Sequence, residues 1–306
     1  MTGNSIQGIQ ETKVRKTLDL SGDPGLERLC GANHDAIRVA PAEDGIERIE
    51  ARFQGNGFDL HRHDTYAIGL TISGVQAFNY RGEARASMPG QLIVIHPDEL
   101  HDGGAGTEVG LKYRMIYIPP EYVAQALLQS NGQCLPFVDA PVLSDPRFRV
   151  SLSEALEDID QPIGELKRCS LLAELATCLS RHSGDRMSRG TALNWPVLKL
   201  CSDYLRECSD EQIKISELEG LADLDRFTLS RQFKKAFGTS PHRYLIMRRL
   251  EGVKRLLAKG TSLVDAAAES GFADQSHMHR HFKRAFGMTP GHWQRLSAAR
   301  TERVPN

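Results

Sequence analysis

Short apolar runs, several of them alternating with polar residues, follow one another between Ile37 and Ile118. Gly, Pro, Asn and Asp separate these runs about every eight to twelve residues, a spacing typical of antiparallel barrels and sandwiches. The clearest runs are IERIEARF, YAIGLTISG, QAFNYRG, QLIVIHP and LKYRMIYI. We therefore predict an all-β, barrel-like domain over residues 34–120. Residues 1–33 sustain no period and are expected to form an arm.

Beyond Pro119 the apolar positions recur at helical spacing. EYVAQALLQ predicts one short helix, and residues 150–182 predict two amphipathic helices broken near Pro162. Their apolar stripes are Leu152, Leu156 and Ile159 on the first, and Leu171, Leu172, Leu175 and Leu179 on the second. Because such a stripe does not identify its partner, the segment 121–183 could join two subunits or fold onto its own domain. Residues 184–194 read as a polar linker, and residues 195–300 as an all-α domain.

The helical domain contains an internal repeat. RQFKKAFGTSP, from Arg231, returns forty-nine residues later as RHFKRAFGMTP, from Arg280, with seven of eleven positions identical. Each copy predicts a capped helix, a glycine stop and a new helix that begins with proline. The caps are Asp225 and Asp274, the stops Gly238 and Gly287, and the restarts Ser240–Pro241 and Thr289–Pro290.

Each repeated helix has an apolar stripe of core residues and an opposite polar face. The outward positions are Arg226, Phe227, Ser230, Arg231 and Lys234 in the first copy, and Gln275, Ser276, His279, Arg280 and Lys283 in the second. Arg, Gln, Ser and His match the hydrogen-bonding groups of base edges in the major groove, and Lys suits phosphates. A shorter helix precedes each copy (SELEGLAD and LVDAAAES), so each pair predicts a helix-turn-helix unit that binds double-stranded DNA.

Charge supports this division of the chain. The whole protein carries 38 Lys and Arg against 39 Asp and Glu. From Thr191 to the end the balance is 19 basic against 13 acidic residues, or +6, whereas the remainder is −7. The asymmetry indicates a polyanionic partner for the C-terminal third.

Composition argues against several other classes. No apolar run is long enough to cross a membrane and the N-terminus lacks the apolar core of a secretory signal, so we expect a cytoplasmic protein without a membrane partner. The six cysteines are irregularly spaced without CxxC, which favours reduced thiols over a disulfide framework or a zinc site.

The two copies with their joining sequence, LSRQFKKAFGTSPHRYLIMRRLEGVKRLL and AAESGFADQSHMHRHFKRAFGMTPGHW, resemble the DNA-binding domain of the AraC/XylS family of transcriptional regulators. The resemblance covers about residues 195–297. It implies two helix-turn-helix units joined by a long helix, about 241–259, whose recognition helices enter major-groove segments about 34 Å apart. It also implies base contacts from Ser230, Arg231, Gln275, Ser276 and Arg280. Two features depart from the pattern: Gly252 lies inside the joining helix, and the second recognition helix is rich in histidine, with His277 and His281 facing either inward or towards phosphates.

By resemblance, the protein is expected to be a nucleoid-associated regulator, usually an activator. We expect it to form a homodimer through residues 121–183, to contact RNA polymerase, and to respond to a small-molecule effector. No cofactor and no catalytic activity are expected.

The strand-rich domain contains HRH (His61 and His63) and, after MPGQLIVIHPDEL, His101. This pattern resembles a cupin, the small β-barrel that serves as the sensor in many AraC-type proteins. Residues two apart on a strand point to one face, so the three imidazoles could bind a metal, as in a metal-dependent cupin enzyme. They could equally pack inside the barrel. We favour a third interpretation, in which His61, His63, Tyr66 and His101 line a pocket for a small ligand and no metal is bound.

Overall fold

The structure is a computed structural model, which describes residues 35–41, 43–128, 135–183 and 193–298. The predicted arm, residues 1–33, and most of the predicted linker lie outside the described residues. The described residues form a β-rich part followed by helices, as the sequence pattern predicts.

Within the described residues, ten strands form two antiparallel sheets. The strands are β1 (Ala36–Val39), β2 (Glu47–Phe53), β3 (Asn56–His61), β4 (Tyr66–Gly74), β5 (Gln76–Tyr80), β6 (Glu83–Ser87), β7 (Leu92–Ile95), β8 (His101–Ala105), β9 (Leu111–Ile118) and β10 (Val142–Leu143). One sheet has the order β1-β2-β9-β4-β7-β10 and the other β3-β8-β5-β6, so β3 is an edge strand. All five runs singled out in the sequence are strands. β1, β3, β6, β8 and β10 carry weaker patterns that the sequence did not resolve.

The larger sheet is covered on both faces. Ala67, Ile93 and Ile95 point into the space between the sheets, whereas Ile68 and Val94 point to the outer face. A strand buried on both faces reads as a continuous apolar run rather than as an alternation, which explains the run LIVI in β7.

Three helices cover the outer face: α1 (Pro120–Leu128), α2 (Pro146–Leu156) and α3 (Glu165–His182). The predicted stripe residues are buried here, and all except Ile159 belong to one cluster with Ile68, Val94 and Ile116 of the sheet; Leu152 and Leu175 are completely buried. Ile159 is buried in a turn beyond the end of α2, so its predicted place on that helix is corrected. Of the two alternatives left open by the sequence, this stripe therefore folds onto its own chain. A dimer contact made by residues 121–183 would have to use other side chains, and it stays a prediction.

The C-terminal helices are α4 (Trp195–Glu207), α5 (Ile215–Ala222), α6 (Arg226–Phe237), α7 (Pro241–Ala258), α8 (Leu263–Glu269), α9 (Gln275–Phe286) and α10 (Pro290–Ala298). The predicted capping is confirmed. Asp225 accepts hydrogen bonds from the N–H groups of Phe227 and Thr228, and Asp274 accepts one from His277. α5 with α6 and α8 with α9 form the two predicted helix-turn-helix units, and α7 joins them. Gly252 has a packing role in α7, since a Cβ there would lie 3.1 Å from the Ser270 hydroxyl.

Candidate functional site: two reading helices against a histidine-lined domain

The predicted reading face of α6 is accessible. Arg226, Phe227, Arg231 and Lys234 are exposed, and Ser230 is half-buried. Phe227 is 73% exposed although it is a large apolar residue. Arg226 is paired with Glu219 of the preceding helix, with 3.2 Å between Nε and Oε1.

The corresponding face of α9 is exposed at its N-terminal half, where Gln275, Ser276, His279 and Arg280 lie. Lys283, one turn further on, is exposed but pairs with Asp59 of β3 at 3.3 Å. The sequence assigned Lys283 to phosphate alone. The structure places Lys283 beside the β-domain, the part of the chain formed by strands β1–β10, because the C-terminal end of α9 contacts that domain.

The remaining histidines of α9 face each other. The Nε2 atoms of His277 and His281 are 3.0 Å apart, and both rings contact Phe272. Burial, reinforced by the neighbouring His277, lowers the pKa of His281 to about 4. Of the two orientations considered for these residues, the inward one is observed.

Both reading helices end against the β-domain. Gly238 and Gly287, the glycine stops, have φ values of +71° and +65°, which L-residues with a side chain rarely adopt. A Cβ at Gly238 would lie 2.7 Å from Cβ of Pro97, and one at Gly287 would lie 2.4 Å from the Asp59 carbonyl oxygen and 2.8 Å from Nδ1 of His61. The two repeated glycines therefore allow both helix ends to approach the β-domain closely.

At α9 this approach is hydrogen-bonded. The backbone N–H of Asp59 donates to the Gly287 carbonyl at 2.8 Å, and that of Arg62 donates to the Arg284 carbonyl at 3.1 Å. An edge strand has unpaired N–H groups and a helix C-terminus has unpaired carbonyls. The strand N–H groups and the carbonyls at the end of α9 thus satisfy each other's hydrogen-bonding capacity.

Charged pairs join α7 to the β-domain. Arg248 donates to Asp64 at 2.7 Å, with both side chains almost completely buried, and Arg243 pairs with Asp98 at 2.7 Å. Lys254 pairs with Glu47. Burial raises the pKa of the Asp64 carboxyl, an effect that the charge of Arg248 opposes. A buried charge needs such a partner, so the pairing of α7 with the β-domain is chemically specific.

His61, His63 and His101 come together. His61 and His101 are directly paired across β3 and β8. The ring centroid of His101 lies 4.2 Å from that of His61 and 4.8 Å from that of His63. All three are buried, which lowers each pKa below the usual histidine value, for His101 to about 4. The rings are therefore neutral at physiological pH.

Two cavities meet at these histidines. One, of about 390 Å³, lies between the sheets and is lined by residues including Phe58, His61, Gln76, His101 and Tyr117. The other, of about 680 Å³, lies between the β-domain and the helices, where Met247, Glu251 and Phe286 face Phe58, His61 and Tyr117. His61 thus contacts the interior of the β-domain, the second cavity and the stop of α9.

Tyr66 does not join the histidines, so its predicted place in the pocket is corrected. It lies on the outer face of β4, in the cluster with α1–α3, with its ring centroid 5.2 Å from that of His96. Phe58 and Tyr117 occupy the position expected of it. No motif identifies these two in the sequence, although the alternation of β9 places Tyr117 on the same face as Tyr113 and Met115.

Among the helices of the described residues, none combines the length and the apolar character needed to cross a lipid bilayer.

Comparison with known proteins gives two family matches. Residues 45–176 match the AraC-like ligand binding domain, and residues 221–296 match a helix-turn-helix domain. The chain is 30% identical over 240 residues to the uncharacterized HTH-type transcriptional regulator YbfI of Bacillus subtilis, covering 75% of this chain and 86% of that protein. It is 25% identical over 259 residues to the HTH-type transcriptional activator RhaS of Yersinia pestis, covering 79% and 91%. The crystal structure of unsaturated fatty acid bound wild-type ToxT from Vibrio cholerae is similar in fold, with a TM-score of 0.60 at 13% identity over 89% of this chain and 99% of that one.

Proposed function

The chain belongs to the AraC family of DNA-binding transcriptional regulators, and from that premise we propose that its effector acts on the contact between the β-domain and the two reading helices. The observation that carries this proposal is the close approach of both glycine stops, Gly238 and Gly287, to the β-domain. The domain thereby contacts each reading helix at its C-terminal end, while the predicted base-reading residues of both helices stay accessible.

For DNA, the proposal is that α6 and α9 enter successive major-groove segments. The contacts expected from α6 are Arg226, Phe227, Ser230, Arg231 and Lys234, and those from α9 are Gln275, Ser276, His279, Arg280 and Lys283. Because the β-domain contacts both helices, a change in its position alters their relative placement. Two units fixed at the wrong separation cannot both read one face of a duplex.

For the effector, the proposal is a small molecule in the two cavities that share Phe58, His61 and Tyr117. The contact between the β-domain and helices α7, α9 and α10 is called the joint below. The second cavity is lined by residues from both sides of this joint, so an occupant there would contact both sides. A ligand shifts an equilibrium only by its differential affinity for the two states. A site at the joint supplies such a difference directly.

The experiment is a selection of bound fragments from random and genomic DNA by the full-length protein, repeated in the presence of candidate metabolites. We expect enrichment of a site with two half-sites about one helical turn apart, and an affinity that changes with the effector. Recovery of random DNA and genomic fragments in equal proportion at moderate salt would contradict the proposal. An enriched site with one half-site only would contradict the two-helix arrangement.

The finer family expectations are part of the same proposal. We propose that the protein activates transcription through contact with RNA polymerase in the nucleoid and acts as a homodimer, with the domains bounded as predicted (34–120, 121–183 and 195–300). The relatives are transcriptional regulators, which favours regulation over the alternative of a cupin enzyme with a DNA-binding tail. Light scattering of the purified protein at several concentrations tests the dimer.

A further inference from the structure

The three histidines of the β-domain use the same ring nitrogen in the same way. Nδ1 of His61 lies 2.8 Å from the Asp59 carbonyl oxygen, Nδ1 of His63 lies 2.9 Å from that of Thr65, and Nδ1 of His101 lies 2.9 Å from that of Glu99. A carbonyl oxygen only accepts hydrogen bonds, so Nδ1 carries the proton in each ring. In a neutral imidazole the other nitrogen, Nε2, then carries a lone pair.

Three lone pairs are thus held in one buried cluster. The potential ligand atoms of the three rings lie within 4.8 Å of one another. Nε2 of His63 is buried, and no group of the described residues offers it a hydrogen bond. A buried acceptor without a partner is costly, and the lone pairs of the two neighbouring imidazoles cannot satisfy it. A cation among them resolves both problems.

The arrangement matches the way proteins bind metals through histidine. A ligating imidazole almost always donates its second N–H to a carbonyl or carboxylate, which fixes the ring orientation and the tautomer. Here the protein supplies that contact to all three rings from backbone carbonyls. Ligand nitrogens about 2.0–2.1 Å from a tetrahedral ion lie about 3.4 Å apart. The potential ligand atoms of the three histidines lie within 4.8 Å of one another, which is of the same order.

We propose that His61, His63 and His101 bind one divalent transition-metal ion through their Nε2 atoms. Three imidazoles select ions of intermediate softness, such as Zn²⁺, Co²⁺ or Ni²⁺, rather than Mg²⁺ or Ca²⁺, which prefer oxygen.

The nearest carboxylate does not complete the coordination. Asp64 follows His63 in sequence, but its carboxylate is engaged by Arg248 at 2.7 Å. The site therefore offers three protein ligands and leaves a coordination position open. Because His61 lines both cavities, that position is accessible to a small ligand with an oxygen or nitrogen donor, which is the geometry of open rather than structural zinc sites.

The test uses full-length protein purified without a polyhistidine tag, stripped with chelator, reloaded with Zn²⁺ or Co²⁺ and desalted. We expect about one equivalent of metal by elemental analysis and three nitrogen scatterers at about 2.0–2.1 Å by X-ray absorption. His61→Gln and His101→Gln should each abolish stoichiometric binding. The absorption measurement on the wild type keeps the test decisive if a variant fails to fold.

Two other groups of side chains serve as matched controls. His277 and His281 on α9 face each other with Nε2 atoms 3.0 Å apart, and Asp145, Cys178 and His182 form a second potential ligand cluster. His281→Gln and Cys178→Ser should leave the stoichiometry and the three-nitrogen signature unchanged. The proposal is overturned if the protein holds no stoichiometric metal, if stoichiometric binding survives His61→Gln or His101→Gln, or if it is lost in either control. Because none of these measurements uses DNA, their failure would leave the proposed regulatory function untouched.

Discussion

The buried pair between Arg248 and Asp64 gives the sharpest test of the joint between α7 and the β-domain. The substitution Arg248→Met preserves most of the side-chain volume but removes the guanidinium, whose central carbon lies 4.5 Å from the centroid of the Tyr244 ring. It removes the charge that balances Asp64, whose side chain is only 2% exposed.

Removing one partner of a buried ion pair costs about 3–5 kcal/mol, because the other charge is left buried and uncompensated. This corresponds to a factor of about 10² to 10⁴ in an equilibrium constant. The protein can escape the cost by separating α7 from the β-domain, which returns Asp64 to water. We therefore expect the substitution to open the joint rather than to unfold the chain.

Hydrogen exchange of the β3 segment measures the opening directly. The amides of Asp59 and Arg62 donate to carbonyls of α9 across the joint, so their protection depends on docking. In Arg248→Met we expect their exchange to accelerate by about 10²-fold or to reach the open-chain rate, while amides of β4 and β9 keep their protection.

The neighbouring Arg249 is a matched control. It is also buried on α7, but its guanidinium donates to the carbonyls of Ser209 and Glu211, within the helical domain. Arg249→Met should lower the stability of the helical domain without selectively exposing β3. Unchanged protection of β3 in Arg248→Met, or equal acceleration in both variants, would refute the reasoning.

Three further predictions use other parts of the molecule. Arg280→Ala should cost about 1–3 kcal/mol at one base position of the preferred site, whereas Lys234→Ala should weaken binding to all sequences alike, as measured by competition titration with single-base variants. Gly287→Ala should release α9 from β3, because its Cβ would overlap the Asp59 carbonyl and a φ of +65° strains alanine; unaltered β3 exchange would count against the docked arrangement. Leu175→Ala should lower the free energy of unfolding by about 2–5 kcal/mol regardless of protein concentration, and Leu166→Ala, at a site 83% exposed, should change it little; a concentration-dependent loss would instead place the stripe in a dimer contact.

Local chemistry explains what could be predicted from the sequence. A helix cap is decided by one side chain and the two or three amides that follow it, so Asp225, Asp274 and the two glycine stops were readable without tertiary information. The sequence also predicts that His61 and His63 point to the same face of their strand, since every second side chain of a strand points to the same face.

The features that the sequence did not predict depend on distant neighbours. Tyr66 lies on a strand that is buried on both faces, so hydrophobic alternation gives no indication of which face is the pocket. Lys283 lies on the predicted reading face, but Asp59, more than two hundred residues earlier, contacts it because two domains dock. The partner of the α2–α3 stripe was open for the same reason, since amphipathicity specifies a buried face without specifying what covers it.

The composition of the joint suits a reversible signal. It combines backbone hydrogen bonds, three ion pairs from α7, close contacts at two glycines and an apolar cluster that joins sheet residues such as Ile37 to helix residues such as Met247 and Trp293. A cavity lies within this joint, so a molecule bound there contacts both sides. Such a molecule shifts the docked arrangement only by its differential affinity for the docked and open states. His61 lines both cavities and lies beside Gly287, where α9 ends. A group bound to the His61 imidazole would therefore be separated from the second reading helix by that one side chain.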